Sequence, residues 1–320
     1  MAGGIRFPDV PGRLGLGVGL DMPWGGPVGF VPDPARGSDG LAPRVRRFLA
    51  DPGARWSHAF FSWQPRARAR LRLDDYVPAW DDLFAHVPAG TVRALHHTAL
   101  NLGTLAPYGR AALLDFTNAL CERYHLRWVN EDLGLWSLAG KPLPYPLPPF
   151  LTDEGLAASV RAVNQCQRGL CVPLVVEFPG FSQGVSVVVG AWDAYDYFRV
   201  LAEQTGAAVT LDVGHLLSWR WLRGARGAAL LDGLERLPLA HCFEIHLSGC
   251  EIVGDRFIDA HHGELLDAQL ELLALLLDAC PQLRAVTYED PRLDAEGALV
   301  PSNRASLARL TEVLRAWNPR

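Results

Sequence analysis

Eight short apolar runs, rich in β-branched and aromatic residues, recur along the chain at 14–20, 56–63, 92–100, 126–133, 173–178, 207–213, 242–247 and 283–288. Longer amphipathic stretches lie between them, at 109–124, 152–167, 192–205, 227–234 and 265–280, with a closing helix expected over 302–317. Strands that alternate with helices cannot pair as hairpins, so the pattern calls for a parallel sheet covered by helices. Eight such units predict closure into a (β/α)₈ barrel, and 320 residues suit one barrel domain spanning 1–320. Four segments break the rhythm and read as loops: 21–40, 141–150 with its five prolines, 182–190 and 218–226.

The strands end in residues that a barrel core does not want. The second run carries His58 and the third His96 and His97. The fourth ends in Asn130, Glu131 and Asp132, the fifth in Glu177, and the sixth in Asp212 with His215 three residues on. The seventh holds Glu244 and His246, followed by Asp259, His261 and His262, and the eighth ends in Glu289 and Asp290. One strand-end carboxylate commonly caps the next helix, and one histidine is more often structural than ligating. Recurrence on strand after strand is different. Strand ends converge at the C-terminal face of a barrel, and unpaired buried carboxylates there cost several kcal/mol each unless a counter-charge is present. Metal ions supply that charge. The expected fold class is therefore α/β, a (β/α)₈ TIM barrel with a metal centre in its mouth.

No paired thiolates accompany these groups, so a structural zinc site is not expected. Mixed imidazole and carboxylate ligands suit iron, manganese or zinc, and composition alone does not choose among them. The candidates outnumber the ligands of one ion, which points to two or three ions sharing carboxylates. The net charge of −5 argues against a nucleic-acid binder. No run of about 18 apolar residues predicts a membrane span. Residues 1–11 show no apolar signal core, and Cys121, Cys166, Cys171, Cys242, Cys250 and Cys280 form no Cys-x-x-Cys pair. Reduced thiols in a cytoplasmic protein are the expectation.

Several local strings resemble one family. Leu95-His96-His97-Thr98-Ala99-Leu100-Asn101-Leu102-Gly103 is similar to a His-Gly-x-x-Leu-Ser-Leu-Gly signature. Asn130-Glu131-Asp132-Leu133 and Pro142-Leu143-Pro144-Tyr145 are similar to its Ser-Glu-His-Leu and Leu-Pro-Leu-Pro-Tyr pair. Glu177, Leu211-Asp212-Val213-Gly214-His215, His246-Leu247-Ser248-Gly249, Ile258-Asp259-Ala260-His261 and Glu289-Asp290 follow in the same order. The family is the multinuclear non-haem iron-dependent oxidative enzymes (MNIO), which includes the methanobactin biosynthesis oxidase. The chain departs from it at Asp132, where the family has His, and at Phe178, where it has Asn. The second strand matches poorly, so His58 is a ligand by position only.

The resemblance implies an enzyme that uses O₂ and two or three irons, mixed Fe(II) and Fe(III), to tailor a Cys, Asp or Asn of a ribosomally made precursor peptide. It implies metal ligands among His58, His96, Glu131, Glu177, Asp212, His215, His246, Asp259, His261 and Glu289. Asp212, His246 and Glu131 are the expected catalytic residues, with Glu244, Asp132 and Asp290 orienting ligands from behind. It further implies a small partner protein that captures the leader peptide. The loops at 21–40, 141–150 and 218–226 would bind peptide, with Trp219 and Trp221 either lining the mouth or packing a loop onto a helix. Three rivals share the pattern: a metal-dependent sugar isomerase or epimerase, an endonuclease, and a non-catalytic metal-binding scaffold. Some isomerases of this type would use a lysine, and the one lysine here, Lys141, lies in the Pro-rich segment.

Overall fold

In the computed structural model the described residues are 4–21, 42–51, 56–63, 71–138, 140–182 and 186–317. The expected loop at 21–40 falls outside them except for Asp21. In chain order the elements are β1 (Gly15–Leu20), α1 (Pro43–Ala50), β2 (His58–Trp63), α2 (Val77–Ala85), β3 (Val92–His97), α3 (Ala111–Tyr124), β4 (Val129–Asp132), β5 (Leu135–Leu138) and β6 (Lys141–Leu147). They continue with α4 (Asp153–Gly169), β7 (Leu174–Glu177), α5 (Ala194–Thr205), β8 (Ala208–Asp212), α6 (Val213–Leu222), β9 (Cys242–Leu247), β10 (Cys250–Val253), β11 (Arg256–Asp259), α7 (Asp267–Ala279), β12 (Ala285–Glu289) and α8 (Pro301–Trp317).

Eight strands close a parallel barrel in the order β1-β12-β9-β8-β7-β4-β3-β2. Each of the eight apolar runs of the sequence supplies one of them. Side chains alternate along each strand, so one set fills the barrel and the other packs under the helices. The inner set at the lower end is apolar: Phe60, Ala94, Trp128, Val175, Ala208, Phe243 and Ala285 form their own cluster, with Ile5, Phe7, Val10 and Leu14 packed against it. Gly17 and Gly19 of β1 are the inward positions of that strand. A Cβ at Gly17 would collide with the His58 ring, and one at Gly19 with the Phe60 ring. The first strand gives up its side chains so that two rings from the second can occupy the barrel.

One irregularity matters for the site. Between β8 and β9 the register passes from Val209–Cys242 to Thr210–Glu244, leaving Phe243 as an extra residue. Such a bulge re-aims side chains. Here it lets Phe243 join the interior apolar cluster while Glu244 also faces inward, taking a 2.9 Å hydrogen bond from Trp128 Nε1.

The structure revises three expectations about connections. The segment 218–226 is not a loop for most of its length, because α6 follows β8 directly and runs to Leu222. The stretch 227–234 forms 3₁₀ turns rather than an α-helix. The proline-rich segment is β6, paired antiparallel with β5 in a two-stranded ribbon outside the barrel, where missing N–H groups are tolerated. A second ribbon, β10–β11, stands after β9. Among the described residues no helix is long and apolar enough to cross a membrane.

Candidate metal centre

Alternation carries past the apolar layer to the C-terminal ends of the strands, and there the inward positions turn ionisable. β3 presents His96, β4 Asp132, β7 Glu177, β8 Asp212, β9 His246 and β12 Glu289, and Asp21 stands directly beyond β1. β2 contributes Ser62, whose hydroxyl donates to Asp21. The loops add His215 from α6, Asp259 and His261 at the end of the β10–β11 ribbon, and Asp290 after β12.

These groups gather into overlapping sets whose donor atoms lie within 4.8 Å of one another. An inner group comprises His96, Asp132 and Glu177; His96, His246 and Glu289; and Glu177, Asp212, His246 and Glu289. An outer group comprises His215, Asp259 and His261, and Asp21, His261 and Asp290. Glu177 Oε2 is 3.1 Å from His96 Nε2 and 3.2 Å from His246 Nδ1. Asp259 Oδ2 is 3.0 Å from His215 Nε2 and 3.2 Å from His261 Nε2, and also accepts from the Tyr145 hydroxyl at 3.1 Å.

Supporting contacts fix the rings. His215 Nδ1 donates to the Phe178 carbonyl at 2.7 Å, which leaves Nε2 to face Asp259. The Phe60 ring lies against His96 and His246, with centroids 5.2 and 4.9 Å apart. Beneath His246, Glu244 Oε1 is 3.4 Å from Nε2 and is itself held by Thr287 at 2.6 Å. Asp212 does two things at once. Its Oδ1 caps α6 by accepting from His215 N at 2.8 Å, while Oδ2 is buried without a hydrogen-bond partner.

Two expected ligands lie elsewhere. His58 is at the lower end of β2, between Ser57 at 2.9 Å and Thr287 at 2.8 Å, and belongs to none of the donor sets found among the described residues. Glu131 points out of the barrel. Its carboxylate accepts from Leu100 N at 2.8 Å and Asn101 N at 2.6 Å and lies 3.1 Å from His97 Nδ1. Neighbours on a strand face opposite sides, so the inward acid of β4 is Asp132, 3.8 Å from His96 Nε2. Asp21 was missed as a candidate, and Asp290 and Asp132 sit among the facing donors rather than behind them. Phe178 packs outward against Phe181, Tyr195 and Phe198, so only its carbonyl bears on the site. Trp219 and Trp221 are buried, the first against Phe181, the second donating to the Asp255 carbonyl at 2.7 Å.

The electrostatics follow from crowding seven carboxylates and four imidazoles into a buried space. Burial opposes charge on every group, but the histidines outlast it: Glu177 and Asp132 raise His96 to about 10, and Glu177 and Glu244 hold His246 well above its ordinary value. Glu177 and Asp259 are correspondingly depressed by the imidazoles despite burial. Asp21 is lowered too, its burial outweighed by His261 and His96, while the other four acids go the other way. Burial, then Glu177, pushes Asp132 up to about 7. Burial raises Asp212 to about 6, and burial with Asp21 raises Asp290 to about 6. Metal ions must displace the protons these groups hold. Metal uptake is therefore expected to release protons near neutrality and to tighten as pH rises from about 5 to 8. Calorimetry in buffers of different ionisation enthalpy measures the release; uptake without protons would contradict the assignment of these carboxyls.

Comparison with known proteins agrees with this picture. Residues 78–295 match the family model described as "RiPP precursor modification enzyme MbnB/TglH/ChrH", RiPP denoting a ribosomally synthesised and post-translationally modified peptide. The UPF0276 protein RB0508 of Rhizobium meliloti (strain 1021) is 27% identical over 199 residues, which cover 58% of this chain and 60% of that protein. The chain thus spans about three fifths of the length of that relative. Among solved structures, the D-psicose 3-epimerase of Clostridium cellulolyticum H10 superposes with a TM-score of 0.54 at 9% identity, covering 94% of this chain and 99% of that one. A xylose isomerase domain protein from Alicyclobacillus acidocaldarius gives 0.50 at 18% identity, over 94% and 99%. At such identities these two show the fold alone, a xylose isomerase-like TIM barrel. The match to the family model extends over most of the barrel and all of the strand ends from β3 to β12, and by it the chain belongs to the MbnB/TglH/ChrH family of RiPP precursor modification enzymes.

Proposed function

We propose that this protein oxidatively modifies a Cys, Asp or Asn residue of a ribosomally made precursor peptide, using O₂ and two or three iron ions held in the barrel mouth. The observation that carries the reading is the pair of adjoining donor groups at the strand ends, the inner buried and the outer partly so. The side chains fit metal ions. His96 Nδ1, Asp212 Oδ2 and both ring nitrogens of His246 are buried without a hydrogen bond, and such atoms are costly unless something binds them. The inner group, His96, Asp132, Glu177, Asp212, His246 and Glu289, would hold one or two ions, and the outer group, Asp21, His215, Asp259, His261 and Asp290, another. Bound there, iron would supply Lewis acidity toward the substrate's thiolate or carboxylate and one-electron chemistry with O₂.

The chain's own part is positioning. Phe60 and the apolar layer beneath it close the site to water from below. Tyr145 and Ser248 hold Asp259, the hydroxyl of Ser248 donating to Oδ1 at 2.8 Å. Asp132 stands 3.8 Å from His96 Nε2, beside Glu177, and would help hold an ion and orient that ring. Asp212 and His246 remain the proposed catalytic residues, whereas Glu131 becomes a positioning residue for the turn after β3. A small leader-binding partner protein and a cytoplasmic setting belong to the same proposal.

Protein purified without oxygen tests it. Two or three irons per chain, a coupled ferric pair on oxidation, and O₂ uptake with a precursor peptide are the expected results. Zinc or manganese alone, or one ion without O₂ uptake, would turn the reading toward an isomerase or a scaffold.

A further inference from the structure

Beside the outer donor group lies a cleft of about 390 Å³, with His261 and Asp290 on its inner side and Arg44, Val45, Arg292 and Leu293 along its walls. One wall is α1 and the other is the segment that leaves β12. They are fastened together: Arg47 Nε donates to the Glu296 carbonyl at 2.7 Å, and its guanidinium also reaches the Ala295 carbonyl. Gly297, at φ 88°, approaches so closely that a Cβ there would lie 2.5 Å from the Arg44 carbonyl oxygen. The two arginines therefore project from walls whose spacing is set. Both are exposed, and neither guanidinium makes a hydrogen bond or ion pair with a described residue.

From this geometry we infer that Arg44 and Arg292 bind a carboxylate of the peptide substrate and so aim the neighbouring residue at the outer donor group. The inference rests on the proposed peptide-modifying role. The argument is one of charge. The acids and imidazoles of the mouth beyond the cleft are engaged with one another. Arg44 and Arg292 are the arginines lining the cleft, and a guanidinium fork matches a carboxylate in two parallel hydrogen bonds. The carboxylate can be a C-terminus or an acidic side chain; the chemistry recognised is the same.

Three fluorescein-labelled pentapeptides of common sequence separate these cases: one with a free C-terminus, one amidated, and one amidated with an added Asp. Anisotropy titration against full-length protein, with wild type, R44Q and R292Q compared, reads equilibrium binding without turnover. At least one carboxylate peptide should bind about tenfold tighter than the neutral one, as a charge-assisted pair of ~1.5 kcal/mol or more requires. Each variant should lose most of that preference while keeping wild-type metal content, which shows that it is folded. Equal binding of all three, binding of none, or a preference that survives both substitutions would overturn the inference. So would displacement by inorganic phosphate at concentrations where acetate has no effect, since that marks a phosphate site. A protein lacking iron or O₂ uptake yet showing the preference would sink the oxidative reading alone; full O₂ uptake with no preference would sink this inference alone.

Discussion

Glu177→Ala is expected to remove most of the bound metal and to lower turnover by more than the ~10–100-fold that loss of an outer-sphere partner costs. Glu177 belongs to two of the inner donor sets, as Glu289 does, and its Oε2 lies 3.1 Å from His96 Nε2 and 3.2 Å from His246 Nδ1. Asn130 Nδ2 donates to the same oxygen and fixes its direction, being held in turn by a 3.0 Å bond from Thr210 to its Oδ1. The substitution leaves two raised imidazoles facing fewer acids, and breaking a buried ionic pair from one side costs ~3–5 kcal/mol. The pH of the measurement matters. Because the folded carboxyl is held well below its ordinary value of 4.5, its contribution to stability is complete above that value and fades only as pH falls through the lower folded one. Metal analysis and denaturation at pH 7 therefore read the full effect. Glu177→Gln, which keeps the shape, should lose metal but less stability. A Glu177→Ala protein with wild-type metal content would refute the inner group as a metal site.

Glu131→Ala should do the reverse: keep its metal and lose about 3–5 kcal/mol of stability. The Glu131 carboxylate is fully buried and receives two backbone N–H groups, those of Leu100 and Asn101. Each buried N–H left without an acceptor costs ~1–3 kcal/mol. The damage would spread to the β5–β6 ribbon. Asn101 sits at φ 57° and its Oδ1 accepts from Trp136 N at 2.7 Å and Ser137 N at 3.1 Å, so the same turn seats the ribbon on the barrel. Chemical denaturation with metal analysis on one sample distinguishes the outcomes. Unchanged stability with lost metal would return Glu131 to the reaction centre.

The contrast between Glu131 and Asp132 also shows what the sequence could convey. The barrel was legible because every strand is an apolar run and every outer face needs a helix; the strand positions came out within a few residues. The ring of donors was legible as a recurrence. The facing of each side chain was not, because Asn130, Glu131 and Asp132 are all polar and a motif comparison ranks the glutamate first. Counting in twos would have served better: Val129 packs outward, which places Asn130 and Asp132 inside, and the inward glycines 17 and 19 point to Asp21. Helix α6 was hidden for a different reason. Val213, Leu216, Leu217, Trp219 and Trp221 are all buried, so it lacks the one-sided stripe by which surface helices declare themselves. Strand β10 leaves Ile252 and Val253 exposed and so shows no core periodicity.

His261 and Asp290 face each other across the outer group, and both hold backbone conformations that only glycine adopts freely, at φ 44° and 45°. Each such residue carries a backbone cost of ~1 kcal/mol or more that glycine would avoid. Exchange of either for glycine is expected to relieve that cost while removing a donor of the outer group. In a lineage that ceased to modify peptides, these two positions would change early, while the inward strand residues, walled in by the barrel, would persist long after the activity was gone. A descendant of this kind would still look like an enzyme by its strand ends, and positions 261 and 290 are where its history would be written.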